Sequence, residues 1–140
     1  GVFDNGDGIM VAGETYEASP RIWNNLIYET DIGPYHMIQG IGVESWDGLA
    51  GASPTLYHNT LDSGLYYGIH VGNSTTATID PDIKYNIITN FGEGGIWCDG
   101  PVTTIDYNDV WNNGAGTKEN NYHNCEPGQH DLYEHRSLHP

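Results

Sequence analysis

Aromatic, basic and acidic side chains occupy one matched position in a segment that recurs along the chain. Aligning the copies places at that position Trp23, Tyr57, Lys84 and Asp106, and at the next position Asn24, His58, Tyr85 and Tyr107. Proteins bind sugar rings by packing aromatic faces on their C–H faces and by directing a few polar groups at them. The pattern is therefore compatible with a carbohydrate-binding strip, with Trp23, Tyr57 and Tyr85 as its ring-bearing members.

Catalysis is the second chemistry that these positions allow. Lys84, His58 and Tyr107 are the weak candidates for it, because each carries a group that can exchange a proton. Ordinary strand residues would give the same pattern, and Lys84 with Asp106 would then be an exposed pair that contributes little stability. The sequence has no Ser-His-Asp or Cys-His-Asp grouping above chance and no phosphate-binding glycine loop.

These positions recur because the chain contains four copies of one template. One part of it is Gly-Ile-x-Val, or Cys in the last copy, and begins at Gly8, Gly40, Gly68 and Gly95. The other part is aliphatic-x-x-Asn-x-aliphatic, with its asparagines at Asn25, Asn59, Asn86 and Asn108. The two parts alternate strictly, and each has the short period-two pattern of a strand bounded by turn-forming residues.

The spacing of the copies predicts the fold. Asn59 and Asn86 are 27 positions apart, which suits one turn of a coil with three short strands. Stacked coils would pair in parallel at a spacing of ~4.8 Å. We predict an all-β, right-handed parallel β-helix (a solenoid) of about four to five coils over residues 1–113. Residues 114–140 form a polar C-terminal segment that caps the solenoid or is poorly ordered.

The repeated asparagines are expected to be structural. Asn tolerates the left-handed backbone conformation that a tight corner needs. Stacked amide side chains can also pass hydrogen bonds from one coil to the next. The sequence therefore predicts an asparagine ladder made of Asn25, Asn59, Asn86 and Asn108.

Two segments of the template, IKYNIITN at residues 83–90 and IDYNDVWNN at residues 105–113, resemble the repeat of the pectin-lyase-like β-helix family. The resemblance covers roughly residues 1–113. It implies the β-helix fold and a family that includes polysaccharide lyases and glycoside hydrolases. The family's galacturonan hydrolases carry a trio of aspartates with Gly-His-Gly and Arg-x-Lys segments, and neither segment occurs here. Its pectate lyases use an Arg or Lys base beside calcium-binding aspartates, whereas this chain has four basic residues in all.

The leading interpretation is a non-catalytic module that binds carbohydrate or acts as a structural element. The alternative is a fragment of a polysaccharide lyase or glycoside hydrolase. The chain enters a repeat almost directly at Gly1, so a fragment without caps is expected. A further alternative is a subunit that self-associates through uncapped ends into oligomers or filaments.

Charge narrows the choice of partners and location. The chain has 19 acidic and four basic residues, a net charge of −15. This disfavours nucleic acid, whose phosphates require a basic surface. No apolar run reaches the ~18–20 residues of a membrane span, so no membrane insertion is expected. The resemblance to the β-helix family implies a secreted, cell-surface or periplasmic protein.

Three further features have more than one interpretation. Asp4 and Asp7 lie in a turn-like Asp-Asn-Gly-Asp-Gly run, so calcium is compatible although no cofactor is expected. Trp46 lies in a lengthened segment that could wall a carbohydrate groove. Cys98 and Cys125 are 27 positions apart, and a disulfide and a pair of free thiols remain equally open.

Overall fold

Short strands make up most of the described chain. The structure is a computed structural model, and it describes residues 3–132 apart from residues 5, 30–34, 46–49, 73, 75, 101 and 103. In chain order the strands are β1 (Phe3–Asp4), β2 (Ile9–Gly13), β3 (Arg21–Trp23), β4 (Leu26–Tyr28), β5 (Tyr35–His36), β6 (Gln39–Ser45), β7 (Thr55–Tyr57), β8 (Thr60–Gly64), β9 (Tyr67–Val71), β10 (Asp82–Lys84), β11 (Ile87–Phe91), β12 (Gly94–Cys98), β13 (Thr104–Asp106), β14 (Asp109–Trp111) and β15 (Tyr122–His123). One helical turn, α1 (Lys118–Asn121), precedes β15.

The strands form three larger parallel sheets. Sheet I consists of β3, β7, β10 and β13, sheet II of β4, β8, β11 and β14, and sheet III of β2, β6, β9, β12 and β15. The chain enters the sheets in the fixed order III, I, II, so every strand pairs in parallel with strands one repeat away. The predicted all-β fold of parallel strands is confirmed, and the arrangement is compatible with a β-helix.

The core consists of the aliphatic positions of the template. Each sheet brings them into register in one column: Ile9, Ile41, Ile69 and Ile96 in sheet III; Ile22, Leu56, Ile83 and Ile105 in sheet I; and Ile27, Leu61, Ile88 and Val110 in sheet II. Most of these side chains are fully buried, and Phe91 is the largest side chain in that state. Burying each contributes roughly 1.5–3 kcal/mol relative to exposure.

The glycines of the template are required by close packing between neighbouring strands. A Cβ on Gly68 would lie 2.1 Å from the Ile88 side chain and 2.8 Å from the Gly95 carbonyl oxygen. A Cβ on Gly95 would lie 2.8 Å from the Asn121 carbonyl oxygen. Backbone atoms of a strand are fixed by its pairing and cannot move away from an added Cβ. A side chain at either position would therefore force the strands apart.

The asparagines of the template form one hydrogen-bonded column. The side-chain amides donate from Asn25 to Asn59, from Asn59 to Asn86 and from Asn86 to Asn108, each at 3.0 Å between Nδ2 and Oδ1. The column ends on a carboxylate, because Asn108 Nδ2 donates to Asp131 Oδ1 at 3.2 Å. Asp131 was not foreseen from the template, since it lies beyond the last repeat.

One part of the sequence reasoning about the corners was wrong. The left-handed conformation belongs to the residues that precede the ladder asparagines: Asn24 (φ 56), His58 (φ 56), Tyr85 (φ 59) and Tyr107 (φ 60). The asparagine itself must point its amide inward to bond its neighbours, so the turn is made one residue earlier. This leaves aromatic residues in a conformation that bulky side chains seldom adopt.

The C-terminal segment joins the sheets as far as it is described. β15 extends sheet III beside β12, and Leu132 forms a parallel bridge with Asp109 of β14. A second amide contact stabilises this region, because Asn113 Nδ2 donates to Asn121 Oδ1 at 3.0 Å. No helix in the described residues is long and apolar enough to cross a membrane.

Removing one amide from the ladder should be strongly destabilising. Asn86 is 1% exposed, and its amide donates to Leu56 and Asn108 and accepts from Asn59. Asn86→Ala leaves several buried groups unpaired, and we expect a loss of about 3–5 kcal/mol in the free energy of unfolding, measured in urea. The control is Asn112→Gly, which removes an exposed amide at a positive φ and should cost less than about 1 kcal/mol. Equal losses would contradict the structural role of the ladder.

Adding a methyl group at a template glycine should also be costly. Gly68→Ala is expected to lower the free energy of unfolding by about 2 kcal/mol or more, because the Cβ meets packed atoms. Gly72→Ala is the matched control, since its nearest neighbour is the movable Glu44 side chain at 3.3 Å. A tolerated Gly68→Ala, judged by the urea midpoint, would contradict the close approach of β9 to its neighbours.

Candidate functional site

The outer face of sheet I presents two parallel columns of side chains. The first column follows the predicted alignment, because the register pairs Trp23 with Tyr57, Tyr57 with Lys84 and Lys84 with Asp106. The second column, two residues earlier on each strand, consists of Arg21, Thr55, Asp82 and Thr104. Since neighbouring strands lie ~4.8 Å apart, this face is a strip that presents one pair of side chains per strand at that spacing. We call it the sheet I strip.

Trp23 supplies the one widely open ring of the strip. Its side chain is 58% exposed, and among the described residues no other ring stacks on it. Arg21 is also exposed, and no carboxylate in the described part of the chain forms an ion pair with it. An indole face and an available guanidinium therefore lie side by side on the edge strand β3.

The middle of the strip is a hydrogen-bonded cluster. The Tyr57 hydroxyl donates to Asp82, and Lys84 Nζ lies 3.1 Å from the other carboxylate oxygen of Asp82 and 5.8 Å from the centre of the Tyr57 ring. The hydrogen bond to Asp82 is the main reason why the pKa of Lys84 is raised and why the pKa of Tyr57 is raised. Lys84 is therefore protonated at neutral pH. In this form it can donate hydrogen bonds, whereas a general base must be unprotonated in order to accept a proton.

The corner beside the strip carries a stack of four rings. His58 lies on Tyr85 at 5.0 Å between ring centres, Tyr85 on Tyr107 at 5.0 Å, and Tyr107 on His130 at 4.3 Å. His130 is held in place by Asp106, whose Oδ2 lies 3.0 Å from His130 Nδ1. Each inner ring has both faces covered, so Tyr85 and Tyr107 present edges to solvent. His130 was not identified from the sequence, because it lies outside the template.

Sheet III carries a second group of rings on its outer face. Trp97 lies between Tyr67, at 4.6 Å, and His123, which stacks on it at 3.4 Å. His70 Nε2 is 2.9 Å from Asp99 Oδ2, and the Trp97 indole donates to Asp99 Oδ1 at 2.9 Å. Burial raises the pKa of Asp99, but these two hydrogen bonds lower it further, so that it lies below its ordinary value. The rings are packed on one another, so this group is a polar stack rather than an open platform.

The candidate calcium ligands can be compared with the structure only in part. In the described residues no group of three or more His, Cys, Asp and Glu side chains is arranged to hold a metal ion. Asp7 lies near Gln39 and Glu44, and burial raises the pKa of its carboxyl group, which opposes the ionised form that calcium needs. The side chain of Asp4 and the whole of Trp46 lie outside the described residues.

The two cysteines are close neighbours in the fold. Both are free, with Cys98 buried and Cys125 partly buried. Hydrogen bonding with Cys125, followed by burial, raises the pKa of the Cys98 thiol. Cys125 also lines a cavity of about 440 Å³ together with Glu119, Tyr122, His123, Asn124 and Glu126.

Comparison of the chain with protein-family models, curated proteins and solved structures finds no match. A function for these surfaces therefore has to be argued from their own geometry and chemistry.

Proposed function

We propose that this chain is a non-catalytic, right-handed parallel β-helix module that binds carbohydrate on the sheet I strip. The observation that carries the proposal is the exposed, unstacked ring of Trp23, which lies in register with Tyr57 and beside the exposed Arg21. An extracellular, cell-surface or periplasmic location belongs to the same proposal, because a carbohydrate-binding module would meet polysaccharides there.

The β-helix part of the proposal is supported by the order of the strands. The chain returns to each of the three sheets once per repeat, and every pairing between repeats is parallel. Crossovers between parallel strands of one sheet are right-handed in the great majority of proteins. The resemblance of residues 83–90 and 105–113 to the pectin-lyase-like repeat agrees with this arrangement.

The composition of the strip suits a sugar polymer. An open indole face can pack on the C–H face of one sugar ring, and Arg21, Asp82 and Lys84 can donate to or accept from hydroxyl groups nearby. The side chains repeat along the sheet at the strand spacing of ~4.8 Å, so an extended chain could contact several strands in succession. The strip lies on the outer face of a sheet, which suits a polymer better than a small molecule, since small-molecule sites are typically concave pockets.

The candidates for catalysis have other roles in the structure. Lys84 is ion-paired with Asp82 and its pKa is raised, whereas a general base requires a lowered pKa. His58 and Tyr107 both belong to the stack of four rings at the corner beside the strip. These contacts support binding over the alternative of a polysaccharide lyase or glycoside hydrolase fragment.

Binding should depend on the Trp23 ring. We expect the wild-type protein to be retarded in native gels that contain one or more soluble polysaccharides from a panel of neutral and uronic polymers. Trp23→Ala should bind the same polymer about tenfold more weakly, since loss of one stacking ring costs about 1.4 kcal/mol. Calorimetric titration with the selected polymer measures the change.

Tyr28→Ala is the matched control for that experiment. Tyr28 is 57% exposed, as open as Trp23, but it lies on β4 in sheet II. We expect it to keep the wild-type affinity. Loss of affinity in Tyr28→Ala with none in Trp23→Ala would move the binding surface away from the sheet I strip.

A depolymerisation assay separates the binding module from an enzyme. The protein is incubated with the same polymers, with and without calcium, and new reducing ends and ultraviolet absorbance are followed. No product is expected. Turnover that disappears in Lys84→Ala or His58→Ala would overturn the non-catalytic part of the proposal and make the strip an active site.

A further inference from the structure

We propose that Cys125 is a site of thiol–disulfide exchange with small cationic disulfides, and that Cys98 resolves the adduct into an intramolecular disulfide. The site lies at the C-terminal end of sheet III, away from the sheet I strip, so the inference does not depend on carbohydrate binding.

The backbone brings the two cysteines together. Cys98 is the last residue of β12, and β12 pairs with β15 so that Trp97 lies opposite His123. Asn124 then adopts a left-handed conformation (φ 54), and Cys125 packs against the same core cluster as Cys98. Its Sγ donates to the carbonyl oxygen of Ile96 at 3.5 Å, directly beside the strand that carries Cys98. The two thiols also contact each other directly, as the formation of a disulfide between them requires.

The two thiols differ in access to reagents. Cys98 is 0% exposed, whereas Cys125 faces the cavity of about 440 Å³. A small disulfide can therefore reach only Cys125. Cys98 is also held in the protonated form, because its contact with Cys125 and its burial raise its pKa. Cys125 is consequently the first nucleophile and Cys98 the second.

The cavity wall selects the charge of the reagent. Glu119 and Glu126 line it beside the Cys125 thiol, and the chain as a whole carries a net charge of −15. An anionic disulfide such as oxidised glutathione is repelled by these carboxylates, whereas the diammonium disulfide cystamine is attracted. We therefore assign cationic aminothiol disulfides as the preferred class of reagent.

The reaction balances as two successive exchanges. The Cys125 thiolate attacks one sulfur of the small disulfide, which forms a mixed disulfide and releases one small thiolate. In the mixed disulfide Cys98 no longer faces a Cys125 thiol, the main cause of its raised pKa; its sulfur then attacks the Cys125 sulfur, and its proton passes to the second small thiolate, which is displaced. The protein loses two protons and two electrons, and the small disulfide gains them and is reduced to two thiols.

The new bond would fasten the C-terminal segment to the repeats. Two residues that follow Cys125 hold this segment on the repeats. Asp131 ends the asparagine ladder, and His130 ends the stack of four rings at the corner beside the sheet I strip. A cross-link that closes a loop of this size restricts the unfolded chain. Oxidation should therefore raise the midpoint of thermal unfolding by several degrees.

The test treats the reduced protein with cystamine and, separately, with oxidised glutathione at equal concentration, and follows the products by intact-mass spectrometry. The wild-type protein should lose two hydrogens and keep no adduct, at least several-fold faster with cystamine. Cys98→Val should stop at a stable single adduct, and valine fits because Val71 occupies the equivalent register position in β9. Cys125→Ser should form neither product.

Three results would overturn the proposal. One is an unmodified wild-type protein after prolonged exposure to cystamine. Another is an adduct on Cys98 in Cys125→Ser, which would show that access is not confined to the cavity. The third is equal or faster reaction with oxidised glutathione, which would contradict the role of Glu119 and Glu126. Circular dichroism of each variant confirms that it is folded before it is scored.

Discussion

The structure depends on the hydrogen-bonded column of amides at the corner between sheet I and sheet II. At this corner the chain leaves one sheet and enters the next, and one carbonyl oxygen in each of β3, β7 and β10 accepts a hydrogen bond from a side chain there. The side chains of Asn59, Asn86 and Asn108, each 1% exposed, bond these groups as well as one another. Because every amide must meet the next at hydrogen-bond distance, the column holds all repeats in one register.

That register is what positions the surfaces. Once the amides and the aliphatic columns are aligned, residues at the same template position must stack at the strand spacing. Trp23 then lies beside Tyr57, and the rings that precede the ladder asparagines fall into one stack at the corner. The chemistry of each surface follows from which side chains fill these positions.

The distribution of charge gives the sheet I strip its distinct character. The two basic side chains that the structure describes, Arg21 and Lys84, both lie on this face, in a chain whose net charge is −15. Lys84 is paired with Asp82, whereas Arg21 is exposed beside the Trp23 ring. The cavity near Cys125 has a different character, because the carboxylates of Glu119 and Glu126 line it. The two surfaces are therefore expected to select different kinds of ligand.

The sequence by itself determined the strand positions, the parallel pairing and the inward columns, because a period-two pattern repeated at a fixed spacing leaves few other ways to bury the aliphatic residues. It also identified the first column of the sheet I strip, since the register repeats the alignment, but not the second column. Only the tertiary structure decided which rings are open. Trp23 is unstacked and Tyr85 is covered on both faces, although both occupy strip or corner positions of the same template. It also decided the roles of His130, Asp131 and Cys125. These residues lie beyond the template, and their contacts depend on how the C-terminal segment folds back on the repeats.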